Sequence, residues 1–273
     1  MLETIYIARH GYRLNWVTQV WKSETGLPRD PPLAAFGHTQ AQELADYFLS
    51  LPEDQRPTAI LSSPYYRCLQ TTKPVSNALN VPIYVEHGLS EWYSPVQPGS
   101  GLHPRPASAE NLRSYFSEID PSWSSVWYPS RKGEDVPEVH DRTEGVLATV
   151  IPELERRFEG KHKRILLVSH AATIIALTRA LAGDREKPMR IACCSLTTFQ
   201  RDSPGQAPLD GWKLLSLGDG SHLKDGATRD WGFEDIVIAD GKVVNDLGQP
   251  GTESEADEPV GPQLPAGELP ARM

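Results

Sequence analysis

Short runs of consecutive apolar residues alternate along this chain with longer segments in which apolar residues recur every three or four positions. The runs at 5–8, 59–61 and 165–168 are typical of strands that are buried on both faces of a parallel sheet. The spacing over 138–158 indicates a long amphipathic helix. Because strands and helices alternate, the pattern predicts an α/β fold built in layers.

A predicted helix follows each of the first two strands. Apolar residues at helical spacing predict the first of these helices over 41–51. Ser63 and Pro64, directly after the second strand, are typical of an N-cap and a first helical position, so the next helix is expected to extend to about residue 79. The other predicted elements are strands at 82–86, 196–200 and 212–217 and a helix at 172–181.

Two segments depart from this alternation. Residues 93–136 are rich in proline, serine, glycine and tryptophan, with one predicted helix near 109–119, which indicates an insertion over the functional site and not a separate domain. From 246 onward proline, glycine and acidic residues dominate, a composition too poor in apolar side chains to form a core. We therefore predict one domain over 1–245 and an acidic, disordered tail over 246–273.

Composition narrows the classes of function. The formal net charge is −9, and an acidic chain is poorly suited to nucleic acid, whose phosphates need cationic side chains. The longest apolar stretch, 165–181, contains His170 and Arg179, so it predicts a strand and a helix and not a membrane span. The 3 cysteines are too few for a disulfide framework. With no basic leader at the N-terminus, we expect a soluble protein of the cytoplasm or nucleus that binds neither nucleic acid directly nor membranes.

Polar side chains follow several of the predicted strands, at the end where ligands bind in open α/β sheets. They lie in four segments, 9–13, 62–67, 89–92 and 168–171. The candidate site residues in these segments are three arginines, two histidines and one carboxylic acid, namely Arg9, Arg13, Arg67, His10, His170 and Glu91.

This inventory fits phosphoryl transfer through a histidine. Neutral imidazole is a competent nucleophile near pH 7, and arginines can stabilise the charge of the transferred group without a metal ion. A carboxylic acid with a raised pKa can protonate the leaving oxygen. Glu91 is the candidate for that role, although its position beside Trp92 is also compatible with a buried acid that has a structural role. The other histidines lack the paired spacing of zinc ligands, so neither a metal nor a cofactor is predicted.

The same segments resemble the histidine phosphatase superfamily, which is also called phosphoglycerate-mutase-like. Residues 4–11, 62–68, 88–92 and 167–171 carry the resemblance, which spans about residues 4–235. It implies a three-layer α/β/α fold with a mostly parallel central sheet.

The resemblance also implies a role for each candidate residue. His10 is the nucleophile that becomes phosphohistidine, and Glu91 is the proton donor that later activates water. The rest of the phosphate pocket is formed by Arg9, Arg67 and His170. Arg13 matches an extra pocket arginine of the ubiquitin-associated and SH3-domain phosphatase branch.

A narrower resemblance, in 9–16, 64–69, 88–93 and 194–196, is to the phosphatase domain in the tau subunit of fungal transcription factor IIIC. One hypothesis is therefore a phosphomonoesterase of the histidine acid phosphatase type, whose substrate is a phosphorylated small molecule or a phosphoprotein. A phosphoglycerate-type mutase is the sister reaction, but 93–136 shows no mutase-type lid, so hydrolysis is preferred. The alternative is a phosphatase-like binding subunit of an RNA polymerase III transcription factor complex, with transcription factor IIIC subunits as partners.

Overall fold

A computed structural model of the chain describes residues 1–202, 207–239 and 242–263. None of the helices in these ranges is both long and apolar enough to cross a membrane. The helices are α1 (Ala35–Ser50), α2 (Tyr66–Leu79), α3 (Ala109–Leu112), α4 (Val136–Arg157) and α5 (Ala171–Ala182). The strands are β1 (Thr4–Arg9), β2 (Ala59–Ser62), β3 (Ile83–Val85), β4 (Trp127–Tyr128), β5 (Arg164–Ser169), β6 (Leu196–Arg201), β7 (Trp212–Asp219), β8 (Ile238–Ala239), β9 (Lys242–Val243) and β10 (Gly261–Pro262).

The central sheet has six strands in the order β3-β2-β5-β1-β6-β7. Strands β3, β2, β5 and β1 are parallel to one another, whereas β6 and β7 are antiparallel to their neighbours. The predicted mostly parallel central sheet is confirmed. The four short strands pair outside it, β4 with β10 and β8 with β9.

Helices cover both faces of this sheet, and the alternation along β1 shows how. Ile5 and Ile7 point into a core that includes apolar residues of α4 and α5. Tyr6 and Ala8 point the other way, into a core that includes residues of α1 and α2. Burial of these apolar surfaces drives the packing of the layers. The three-layer α/β/α prediction is therefore confirmed.

The register of the parallel strands brings their carboxyl ends to one edge. Arg9 at the end of β1 lies opposite Ser169 at the end of β5, and Ser62 of β2 lies opposite Val168 of β5. The segments that follow these three strands therefore emerge side by side. This edge is where open α/β sheets bind ligands.

The first turn of α1 lies against the segment after β1 at a distance that only glycine allows. A Cβ on Gly37 would lie 2.2 Å from the carbonyl oxygen of Tyr12, and a Cβ on Gly11 would lie 2.7 Å from that of Gly37. The Tyr12 N–H also donates to Gln40 Oε1 of the same helix at 3.0 Å. Helix α1 begins at Ala35, six residues before the predicted start at 41, and it buttresses the segment that carries the candidate residues.

The insertion over 93–136 is mostly irregular. The helix predicted near 109–119 is limited to Ala109–Leu112. Phe116, Ile119 and Trp123 are nevertheless almost fully buried. Large apolar side chains therefore hold this segment against the sheet in place of regular secondary structure.

The C-terminal segment differs from the disorder that its composition predicts. Over the described part, 246–263, it lies along the insertion and the loop between β1 and α1. Asp246 pairs with Arg29 at 2.6 Å, Asp257 accepts from Ser130 Oγ at 2.6 Å, and β10 pairs with β4. Its acidic side chains pair with residues elsewhere in the same chain, Arg29 and Ser130, which composition alone does not reveal. The remainder of the predicted tail, 264–273, lies outside the described residues.

Candidate active site

His10 is the first residue after β1, and it is buried, with 1% of its surface exposed. Its Nδ1 lies 2.8 Å from the carbonyl oxygen of Gly11. Since a carbonyl oxygen can only accept, Nδ1 carries the ring proton and Nε2 keeps its lone pair. Burial, together with Arg67 and His170, holds the pKa of His10 well below its usual range. The neutral ring therefore has an unprotonated nitrogen that can act as a nucleophile.

Three guanidiniums share the space around this ring. The Nε atoms of Arg9, Arg13 and Arg67 are each buried and have no hydrogen-bond partner among the described residues. Arg9 is oriented by its Nη1, which donates to the carbonyl oxygens of Ile191 at 2.7 Å and Arg229 at 2.5 Å. Buried donors of this kind are normally satisfied. An anion bound between the three side chains would accept charge-assisted hydrogen bonds from guanidinium N–H groups.

Asp30, from the loop between β1 and α1, is the counter-ion that fixes Arg67. Its carboxylate accepts from Arg67 Nη1 at 2.9 Å and from the N–H of Tyr66 at 2.8 Å. Both charged side chains are 1% exposed. The other terminal nitrogen of Arg67, Nη2, lies 3.0 Å from Glu91 Oε2 and 3.1 Å from His170 Nδ1. Asp30 was missed by the sequence analysis, because an acid in a proline-rich loop resembles any solvated turn residue.

His170 follows β5 as His10 follows β1, and the two ring centres are 5.3 Å apart. Nδ1 of His170 lies 3.1 Å from Arg67 Nη2, and Nε2 of the same ring lies 2.8 Å from Ser63 Oγ. Burial lowers the pKa of His170 to about 4. The prediction of Ser63 as an N-cap is wrong, since α2 begins only at Tyr66, whose N–H is bound by Asp30. The Ser63 hydroxyl orients His170 instead.

Glu91 lies beside His170, with its Oε2 3.3 Å from Nδ1 of that ring. Burial alone would raise the pKa of the Glu91 carboxyl, but His170, Arg67 and Arg13 outweigh it and hold the pKa well below its usual range. The expectation of a raised pKa is therefore wrong for Glu91 among the side chains of this site. A phosphate dianion bound here would offset the positive charge of the guanidiniums, and the pKa of Glu91 would then rise.

All six predicted site residues come together around His10, four of them buried and two, Arg13 and Glu91, partly exposed. The ligand atoms of His10, Glu91 and His170 lie within 4.8 Å of one another. That spacing also suits a metal ion, but the three guanidiniums around it repel cations. Burial and the neighbouring guanidiniums lower the pKa of Arg13 to about 10, the expected effect of like charges held together. The arrangement favours a tetrahedral dianion.

A second buried carboxylate holds the segment that carries Glu91. This carboxylate belongs to Glu86, at the end of β3, and burial raises its pKa to about 7. The donors to Glu86 are the N–H groups of Gly88 (2.9 Å), Val126 (3.0 Å) and Trp127 (3.2 Å) and the indole of Trp123 (3.0 Å). These bonds tie the segment to the insertion, an arrangement that the sequence did not predict.

His87, next to Glu86, makes the stability of this segment sensitive to acid. Its ring stacks on Tyr128, with ring centres 4.4 Å apart, and burial lowers its pKa to about 4. Because an unfolded histidine titrates near pH 6.5, the unfolded chain binds more protons at His87 between about pH 6.5 and pH 4. The stability that neutral His87 contributes is complete above pH 6.5 and is lost as the pH falls toward 4.

Replacement of His87 by glutamine is expected to make the free energy of unfolding less dependent on pH in this range. The wild-type chain should lose about 1.5 kcal/mol more stability than His87→Gln between pH 6.5 and pH 5. Urea unfolding of both proteins at the two pH values measures this difference. Equal losses in the two proteins would contradict the assignment of His87 as a buried neutral ring.

Two sequence comparisons bear on this site. The family described as the histidine phosphatase superfamily (branch 1) matches residues 5–212. The transcription factor tau 55 kDa subunit of Saccharomyces cerevisiae is 34% identical over 267 residues. That match covers 88% of this chain and 60% of the yeast protein, so the chain spans about 60% of the length of that relative.

Solved structures share the fold. The ecdysone phosphate phosphatase from Bombix mori has a TM-score of 0.60 at 17% identity, over 79% of this chain and 93% of that one. The YhfR protein of Bacillus stearothermophilus has a TM-score of 0.53 at 23% identity, over 80% and 98% of the two chains. At these identities the likeness shows the fold alone, and it agrees with the layers described above.

Proposed function

The chain belongs to the histidine phosphatase superfamily, and from that premise we propose that it is a metal-independent phosphomonoester hydrolase that works through a phosphohistidine on His10. The observation that carries this proposal is the state of the His10 ring. Its Nδ1 donates to Gly11 at 2.8 Å, which leaves Nε2 unprotonated among three guanidiniums with unused donors. A nucleophile beside a group of cationic hydrogen-bond donors is what this chemistry needs.

In the first step, Nε2 of His10 attacks phosphorus in line with the leaving oxygen. The N–P bond forms as the P–O bond breaks, and Arg9, Arg13 and Arg67 stabilise the charge on the three peripheral oxygens. Glu91 is protonated in the substrate complex, where the phosphate offsets the guanidiniums. It gives this proton to the leaving oxygen, which departs as an alcohol or a phenol.

In the second step, water replaces His10 on phosphorus. The Glu91 carboxylate takes a proton from water as the new O–P bond forms and the N–P bond breaks, and inorganic phosphate leaves. His170 contacts two groups that act in these steps, because its Nδ1 lies 3.1 Å from Arg67 Nη2 and 3.3 Å from Glu91 Oε2. The guanidiniums supply the positive charge that a metal ion supplies in other phosphatases.

The name of the yeast relative supports a second proposal, a role as a phosphatase-like binding subunit of an RNA polymerase III transcription factor complex. Its partners are then other subunits of transcription factor IIIC, and its location is the nucleus. The hydrolase proposal allows the cytoplasm as well, with a phosphorylated small molecule or a phosphoprotein as substrate. Affinity purification from fungal extract tests the second proposal, which fails if no transcription factor subunit is recovered.

Hydrolysis of p-nitrophenyl phosphate by the purified chain tests the first proposal. The rate of phosphate release is expected to be the same with and without EDTA, because arginines carry the charge. Loss of activity on chelation, with recovery on addition of a divalent metal, would contradict the metal-independent mechanism. Interconversion of phosphoglycerates with little phosphate release would identify a mutase instead.

A further inference from the structure

The three backbone carbonyls directly before Glu91, those of residues 88–90, are all bound by buried side chains from other elements. Ser169 Oγ donates to the carbonyl oxygen of Leu89 at 2.7 Å. Thr173 Oγ1 donates to the carbonyl oxygen of Ser90 at 2.8 Å. These two donors flank His170 in the chain. The backbone that carries Glu91 is therefore tied to the segment that carries His170.

Arg142, on α4, supplies the remaining contact. Its Nη1 donates to the carbonyl of Gly88 at 2.7 Å and lies 3.4 Å from that of Ser90. Its Nε lies 2.7 and 2.9 Å from the two carboxylate oxygens of Glu134. Arg142 is 3% exposed and Glu134 is 7% exposed. A fully engaged, buried guanidinium of this kind has one stable arrangement.

Glu134 also contacts the two residues that follow Glu91 in the chain. Its backbone N–H donates to the carbonyl of Tyr93 at 2.9 Å, and its carbonyl accepts from the indole of Trp92 at 2.9 Å. The Arg142–Glu134 pair thus holds the chain immediately before and immediately after Glu91.

We propose that Arg142 is a positioning residue for Glu91, which sets the distance between its carboxyl group and the leaving oxygen. This inference rests on the proposed function, because it assigns Arg142 a part in the proton transfer of that mechanism. A general acid must lie within hydrogen-bond reach of the atom that it protonates. A displacement of about 1 Å, caused by a change away from the reacting atoms, can lower a rate by about 100-fold.

The choice of substrate separates this role from a general structural one. An alkyl leaving group, as in glycerol 2-phosphate, must be protonated as it departs, whereas p-nitrophenolate leaves without a proton. Because kcat/KM reports the steps up to formation of the phosphoenzyme, a misplaced Glu91 affects kcat/KM for the alkyl ester selectively. Hydrolysis of the phosphoenzyme needs Glu91 as a base with either substrate, so kcat falls for both.

Two variants make the test, each chosen to keep the fold. Removal of Arg142 alone would leave Glu134 as an unpaired buried charge, so the first variant is the double substitution Arg142→Met with Glu134→Gln. The second is Thr173→Val, which keeps the shape of the side chain but removes the bond to the Ser90 carbonyl and the oxygen that lies 3.5 Å from Arg142 Nη2. Arg179→Met is the matched control, because Arg179 is an arginine of α5 that donates to Lys187 and contacts His140.

The double variant is expected to lose about 100-fold in kcat/KM for glycerol 2-phosphate and about 3-fold or less for p-nitrophenyl phosphate. Thr173→Val should show the same selectivity with a smaller loss, about 5-fold for the alkyl ester. In the double variant, phosphohistidine should also accumulate during turnover of p-nitrophenyl phosphate. The Arg179→Met variant should keep the wild-type ratio between the two substrates.

Equal losses of kcat/KM for the two substrates would overturn the positioning role. So would an unchanged kcat/KM for glycerol 2-phosphate in either Thr173→Val or the double variant. Failure of the proposed function gives a different result. In that case the wild-type chain itself forms no phosphohistidine and hydrolyses neither ester.

Discussion

Replacement of His10 by alanine is expected to lower kcat for p-nitrophenyl phosphate by at least about 10⁴-fold while the chain stays folded. No other nucleophile in the site can take over with the same geometry. His170 is the other imidazole, but its Nδ1 contacts Arg67 and Glu91 and its Nε2 contacts Ser63 Oγ. Both ring nitrogens of His170 are therefore engaged, whereas Nε2 of His10 makes no hydrogen bond to a described residue.

Steady-state kinetics of His10→Ala measures this effect, with thermal unfolding of the same sample to establish that it is folded. His38→Ala is the matched control, because His38 is an α1 histidine outside the site that contacts Gln70. This control should retain wild-type turnover. Retention of even a tenth of the wild-type kcat by His10→Ala would mean that phosphorus is attacked by another group.

Replacement of Arg67 by methionine is expected to lower kcat/KM by about 10³-fold and to reduce the free energy of unfolding by about 3 kcal/mol. The loss of activity has a direct cause, since a buried donor to the transferred group disappears. The loss of stability comes from Asp30, which is 1% exposed and pairs with Arg67 at 2.9 Å. Without Arg67, the Asp30 carboxylate is buried without its counter-ion.

The two effects of Arg67→Met can be separated by a second substitution. Adding Asp30→Asn removes the unpaired charge, so the double variant should recover most of the lost stability but none of the lost activity. Urea unfolding and kinetics on the same preparations measure both. Recovery of activity together with stability would show that Arg67 serves the fold and not the phosphate pocket.

The strand ends and the site were largely predictable from the sequence. Runs such as 5–8 and 165–168 predict buried parallel strands, and parallel strands bring their carboxyl ends to one edge. Once the strands are assigned, the residues directly after them must come together. His10 and His170 therefore converge for a reason that local sequence and sheet topology supply without any knowledge of side-chain contacts.

The groups that orient these residues were not predictable in the same way. Asp30, Glu86 and Glu134 are acids buried by distant segments, and nothing in their own neighbourhood distinguishes them from solvated acids. Asp30 and Glu86 acquire their partners from distant segments of the chain, and Glu134 acquires Arg142 only once helix α4 has formed. The same reason explains Ser63, whose local signal as an N-cap is strong but whose hydroxyl is used by His170 from another strand.

Charge in the site shows a further limit of sequence reasoning. The sequence predicts that Glu91 needs a raised pKa to act as an acid, yet its neighbours hold that pKa low. The guanidiniums that bind the phosphate are the same groups that keep Glu91 ionised. Substrate binding is therefore expected to raise the pKa of Glu91, because the phosphate brings negative charge close to the carboxyl group.

A crystal structure of the chain with vanadate tests the central claim most directly. Vanadate adopts the five-coordinate geometry of phosphoryl transfer, so it reports both the nucleophile and the pocket in one measurement. We expect vanadium bonded to Nε2 of His10, with its oxygens accepting from Arg9, Arg13 and Arg67 and with Glu91 beside the oxygen opposite His10. Vanadate bound elsewhere, or held in this pocket with no bond to His10, would contradict the account.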